Sequence, residues 1–278
     1  VDLNGYVYLG FLTNTNILKI SPDGQSQAYI ADTGTASCLS VDNHNNIYSG
    51  GGSYGGIKKI EPDGTVSIIL GGGQIFGIDI DKDNEYLYYV ESSADKVFRV
   101  DLLDHTKTES ICNMRTSSGL PGRPQDAAVS SYDMHFMDNN VIIISSSRGY
   151  LYKIDLNNNN ELEFLAGDGG SYDQGHGSGV GYSMGNGANF KLDQMWGIAS
   201  DENNDLYVGS WSYNIIGKLT LDGVGSLIAG TPGNGTPSYN TDISSTTLFT
   251  PRGLHFRKDT GNLYFCDHNG NIAIMAIR

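Results

Sequence analysis

The chain repeats itself six times, and each repeat is too short to bury a core alone. The stretches "NGYVYLG" (4–10), "NNIYSGG" (45–51), "EYLYYVE" (85–91), "NNVIIIS" (139–145), "NDLYVGS" (204–210) and "GNLYFCD" (261–267) align as short apolar strands entered through Asn, Asp or Gly. Their matched positions are Tyr8, Tyr48, Tyr88, Ile142, Tyr207 and Tyr264. A second strand follows each one, as in "NILKISPDG" (16–24) and "GIKKIEPDG" (56–64). It carries a basic residue at one matched position (Lys19, Lys59, Arg99, Lys153, Lys218), replaced by Ile274 in the last copy. A third strand comes next in five copies. An inner strand precedes the tyrosine strand in units two to six: "SCLSVD", "FGIDID", "DMHFMD", "WGIASD" and "RGLHFR". Four strands in a unit of roughly 40–45 residues are the signature of a β-propeller blade.

The expected fold is therefore all-β: a six-bladed β-propeller of four-stranded antiparallel blades, one domain over 1–278. Blade boundaries fall near 1–33, 34–73, 74–124, 125–190, 191–248 and 249–278. The first and last blades are incomplete in this chain, because Val1-Asp2 is only the tail of an inner strand and no outer strand follows "GNIAIMAIR". The stretch "AGDGGSYDQGHGSGVGYSMGNGANF" (166–190) reads as a crossover loop between blades. A phosphate-binding glycine loop needs a strand before it and a helix after it, since the helix N-terminus supplies the anion site. Here the next element is the inner strand "MWGIASD".

Composition narrows the partners. The net charge is −14, and the 17 Lys and Arg form no run. A nucleic-acid binder needs a basic stripe to displace counterions, so no nucleic acid is expected. No stretch approaches the ~18 consecutive apolar residues of a membrane-spanning helix, so no membrane insertion is expected. Cys38, Cys112 and Cys266 are far apart, form no CxxC pair and read as buried free thiols.

These features together resemble the NHL-repeat six-bladed propellers, in the manner of extracellular or teneurin-like members. The carriers are inner strands of the form Pro-x-Gly-Ile/Leu-x-x-Asp ("MWGIASDENNDLYVGS", "TPRGLHFRKDTGNLYFCD"), the basic strand with its PDG turn, and the connector that ends in "ANF". The likeness covers nearly the whole chain. It implies the fold and leaves function open, because related propellers include scaffolds, RNA binders, adhesion modules and a few hydrolases and lyases.

Two sets of residues are candidates for chemistry. Matched inner-strand positions hold Ser40, Asp79, His135, Ala199 and His255. Asp79, His135 and His255 could bind a divalent ion in a central channel, as in the metal-dependent enzymes that the resemblance brings in; the alternative is polar contacts between blades. Gln74, Asp126, Gln194, Trp196 and Arg252 lie at the channel mouth, where polar groups beside a tryptophan suit a small polar ligand or glycan, or simply rim solvent. The run "DIDKDNE" (79–85) lacks the spacing of a calcium loop and reads as a solvated turn. Asn234 begins the sole glycosylation sequon.

The function expected from this pattern is a non-catalytic extracellular or cell-surface module. Its partners are other protein chains, copies of itself joined by strand donation to the incomplete blade, or glycans. No cofactor is expected. The alternatives are a metal-dependent hydrolase or lyase at the axial channel and, third, an intracellular scaffold.

Overall fold

The computed structural model describes residues 1–30, 34–52, 55–114, 131–147, 149–167, 183–232, 246–268 and 270–277. The chain is an all-β six-bladed β-propeller, as its repeats imply. It divides into two compact units, Val1–Met114 and Arg115–Arg278.

The first unit holds three antiparallel sheets. Strands β1 (Val7–Leu9), β2 (Ile17–Ile20) and β3 (Gln27–Ile30) form a three-stranded blade. The second blade is β4 (Cys38–Val41), β5 (Ile47–Gly51), β6 (Gly56–Ile60) and β7 (Val66–Leu70); the third is β8 (Ile75–Ile80), β9 (Tyr86–Glu91), β10 (Lys96–Asp101) and β11 (Thr108–Asn113).

The second unit holds blade four, β12 (Ser131–Met137), β13 (Val141–Ser146), β14 (Tyr150–Asp155) and β15 (Leu162–Gly167). A two-stranded ribbon follows, β16 (Ser183–Met184) and β17 (Phe190–Lys191), closed by a single 3-10 turn at Gly187–Asn189. Blade five is β18 (Met195–Ser200), β19 (Leu206–Ser210), β20 (Ile215–Leu219) and β21 (Gly225–Ala229). Blade six has three strands, β22 (Leu254–Arg257), β23 (Asn262–Cys266) and β24 (Ile272–Ala276). The described end of the glycine-rich stretch is thus the ribbon, and its Phe190 is fully buried in the core between blades four and five. Residues 168–182 lie outside the described residues.

Burial follows position within the blade. Every residue of β5, β13 and β19 is buried, because a second strand is covered on both faces by neighbouring blades. Outer strands such as β3 and β7 are largely exposed. The core is a series of apolar layers between blades. One layer joins Tyr48, Ile57, Ile78 and Tyr89 across blades two and three, and another joins Tyr207, Ile216, Phe256 and Leu263 across blades five and six.

The turn between inner and second strand is self-capping. Asp201 accepts backbone N–H groups of Asn203 and Asp205 at 2.9 and 3.0 Å and the phenol of Tyr207 at 3.0 Å. Asp42 does the same for His44, Asn46 and Tyr48, and Asp2 for Asn4, Tyr6 and Tyr8. Asp81 binds the N–H groups of Glu85 and Tyr86, which explains "DIDKDNE" as a turn. Asn45, Asn84, Asn140 and Asn204 take positive φ in these turns, the left-handed conformation that Asn tolerates well. The recurring basic residue faces the same tyrosine position: Lys218 lies opposite Tyr207 and pairs with Asp205 at 2.7 Å.

One alignment is corrected by the register. In blade four Lys153 and His135 both lie opposite Ile143, so Ile143, not Ile142, occupies the tyrosine position. A run of three isoleucines offers no chemical mark to fix the register. The thiols are free as expected, but only Cys112 is buried; Cys38 and Cys266 are half-buried.

Candidate functional site

Three of the inner strands begin with the same irregularity. Their pairing skips one residue each: Phe76 in β8, Tyr132 in β12 and Trp196 in β18. A bulge adds an unpaired residue, increases the local twist and re-aims its side chain. All three bulged residues are aromatic. Ser37 and Arg252 hold the same position, three residues before the matched Ser40 and His255.

In the second unit three of these positions converge. The Tyr132 and Trp196 rings stack with centroids 4.3 Å apart at 29°. The Arg252 guanidinium carbon lies 4.7 Å from the Trp196 ring centroid and 5.8 Å from that of Trp211. The two indoles meet edge to face at 6.4 Å. All four side chains are half-buried. Burial pushes the Arg252 pKa down, and the nearby Cys266 and Tyr132 partly offset it. The group still stays cationic, as arginine does in proteins.

Close backbone approach makes the cluster. A Cβ on Gly197 would stand 1.7 Å from the Arg252 carbonyl oxygen, so only glycine after Trp196 lets blade six come this near. Gln194, two residues before Trp196, takes φ 48°, and its carbonyl accepts the Trp211 N–H at 3.1 Å. Thr250, two residues before Arg252, takes φ 44° and is held by the Asn214 side chain at 2.8 Å. A β-branched residue in the left-handed region is an outlier, and such strain gathers at functional sites.

The cluster also carries unspent donors. Trp196 Nε1 and Arg252 Nε are buried and have no hydrogen-bond partner among the described residues. Each such group typically costs about 1–3 kcal/mol. Chemically the cluster offers aromatic surface, one fixed positive charge and planar N–H donors. Among the described residues it offers no nucleophile paired with a base.

The expected residues fall in several places. Trp196 and Arg252 are the centre of the cluster. Gln194 is buried beneath it and positions Trp211. Gln74 is its counterpart in the first unit, its carbonyl accepting Ser92 N–H at 2.9 Å. Asp126 and Asn234 lie outside the described residues. Tyr132 and Trp211 went unnoticed in the sequence; the signal for Tyr132 was an aromatic recurring at the second inner-strand position.

Asp79 and His135 make bonds between adjacent inner strands. Asp79 accepts the Ser40 hydroxyl at 3.0 Å and the N–H of Ile80 at 2.9 Å. His135 Nε2 lies 2.8 Å from Ser200 Oγ. Asp133, two residues earlier, accepts Ile198 N–H at 3.0 Å. His255 is reached by solvent, yet dense protein around it, with His135, Arg257 and Lys258, pushes its imidazole well below the ordinary value. Among the described residues no group of three His, Cys, Asp or Glu could hold a metal ion, and no helix is long and apolar enough to cross a membrane.

No family model matches the chain, and no curated protein sequence matches it. Many solved structures share the fold. An auxiliary nutrient-binding protein from Bacteroides ovatus is similar at TM-score 0.75 and 14% identity, over 98% of this chain and 67% of that one. A second auxiliary nutrient-binding protein, from Bacteroides thetaiotaomicron, gives TM-score 0.74 and 14% identity over 97% and 66%. Virginiamycin B lyase from Staphylococcus aureus gives TM-score 0.60 and 11% identity over 100% and 83%. At these identities the likeness is one of fold. This chain spans about two thirds of the length of the two nutrient-binding proteins.

Proposed function

We propose that this protein is a non-catalytic binding module, of NHL-like style, acting outside the cell or at its surface. Its site is the Tyr132–Trp196–Trp211–Arg252 cluster. The observation that carries this reading is Arg252: a half-buried cation stacked on indole, with an unpaired Nε and no carboxylate partner among the described residues. A protein that needed this residue only for packing would gain by replacing it with an apolar one. Bulges, left-handed turns and unsatisfied donors at one spot mark a surface kept for a ligand. Two nutrient-binding proteins share the fold, which is consistent with a binding role.

A thermal-shift screen of sugars, amino acids, nucleosides and short peptides tests this. A ligand at a hundred times its Kd should stabilise the protein by about 2.7 kcal/mol. Hits that vanish in Trp211→Ala and Arg252→Gln support the site. Hits indifferent to both substitutions, or no hits, overturn it.

A second reading, self-assembly, rests on β24, which has one hydrogen-bonded neighbour among the described strands. Strand addition to such an edge is a common mode of association. Regular polymers by native mass measurement support it; a concentration-independent monomer overturns it.

A further inference from the structure

The cluster's chemistry narrows its ligand further, given the binding reading above. We infer that it takes an acidic saccharide: a sugar ring set against the aromatic surface, with its carboxylate or sulfate held by Arg252.

The geometry of a stacked guanidinium is the first ground. Cation–π stacking uses the face of the guanidinium and leaves its N–H groups pointing outward in the plane. The Arg252 guanidinium carbon lies over the Trp196 ring, 4.7 Å from its centroid. The N–H groups of a guanidinium form a planar fork that matches the two oxygens of a carboxylate or of a sulfate.

The missing counter-ion is the second. Three arginines lie among the described residues. Arg99 pairs with Glu109 at 3.0 Å, and Arg257 with Asp259 at 2.8 Å. Arg252 has no carboxylate among the described residues, in a chain with 31 Asp and Glu against 17 Lys and Arg. A half-buried cation of this kind gains most from an anion that arrives with the ligand.

The aromatic neighbours are the third. The Trp211 ring centroid stands 5.8 Å from the same guanidinium carbon, an apolar plane beside a charged group. Sugar rings are amphipathic, with C–H faces that pack on indole and polar edges that seek donors. An acid substituent on such a ring satisfies both parts at once. A fully neutral ring would leave the fork unmatched, and a free inorganic anion would leave the aromatic plane unused.

The test uses the intrinsic fluorescence of the intact protein. The chain has two tryptophans, Trp196 and Trp211, so the whole tryptophan signal comes from this cluster. Tetragalacturonate and a sulfated chondroitin disaccharide are titrated beside neutral maltotetraose and a short peptide with a free C-terminal carboxylate. The expected result is a saturable change with at least one acidic saccharide, at least about tenfold tighter than with the neutral one. Arg252→Gln should weaken it by about tenfold or more, a loss typical of a charge-assisted pair. Arg252→Lys should not restore it, because the planar fork is gone. Unchanged circular dichroism confirms that the variants fold.

Equal affinity for the neutral saccharide, with Arg252→Gln costing less than about twofold, overturns the acidic class. So does a peptide that competes as well as the sugars, or silence with both acidic probes. In those cases a screening hit of other chemistry that still moves the tryptophan signal preserves the binding site itself. Hits that never move it remove both.

Discussion

Arg252 lies with its guanidinium carbon 4.7 Å from the centroid of the Trp196 ring, and the two residues hold the same inner-strand position in adjacent blades. One repeat supplies the platform and the next supplies the charge. The repeats share one strand pattern, so the difference of side chains at this one position is what distinguishes a site from a scaffold.

Arg252→Leu should leave the protein as stable as before, within about 1 kcal/mol, or make it more stable. It removes a half-buried charge and an unsatisfied Nε while keeping apolar contact with Trp196. Urea unfolding checks this. A loss well beyond about 2 kcal/mol would make Arg252 a structural residue and weaken the binding proposal.

Gly197→Ala should be strongly destabilising, by about 2 kcal/mol or more, because the new methyl meets backbone that cannot move aside. Gly71 has nothing within 4 Å of an added Cβ, and Gly71→Ala should stay within about 0.5 kcal/mol. Both values come from denaturant midpoints, and similar losses at the two glycines would contradict the close-approach argument. Tryptophan emission of Gly197→Ala should shift as well, since the cluster loses its spacing.

Asp201→Ala should cost about 3 kcal/mol. It strips partners from two backbone N–H groups, the buried Tyr207 phenol and Lys218 at once. Tyr207→Phe removes only the phenol end and should cost about 1 kcal/mol. If the two variants unfold at the same urea concentration, the turn is not held by its aspartate.

Alkali should unfold the protein over a defined window. Burial, with nearby Asp201, pushes the Tyr207 pKa up to about 12, and burial pushes Tyr89 to about 12 as well. Burial and Asp42 likewise raise Tyr48. An unfolded tyrosine ionises near pH ~10. Above that pH the unfolded chain has lost protons that the native state keeps, so stability falls as pH rises from about 10 toward 12. Phenolate absorbance from these tyrosines should therefore appear together with the loss of β-sheet circular dichroism. Full ionisation before any loss of structure would contradict the buried pairing.

Much of this was legible along the chain. The strand order and the three-stranded first and last sheets follow from spacings within one repeat, which local pairing reads directly. Trp196, Arg252 and Gln194 were picked out by position at strand starts. The metal trio was a weaker reading, because matched positions say which residues are equivalent and not what each one touches. Asp79 and His135 reach serines on the neighbouring inner strand.

The sequence by itself determined a six-fold repeat of four-stranded units, and with it the propeller, since hydrophobic alternation and turn chemistry act over a few residues. Tertiary structure alone decided that Tyr132, Trp196, Trp211 and Arg252 meet. The cluster draws on 120 positions of chain from Tyr132 to Arg252, and its contacts depend on bulges that turn one side chain per strand and on a glycine that lets two blades touch. Those are properties of packed backbones, set by the registers and distances between strands, and no local pattern of residues encodes them.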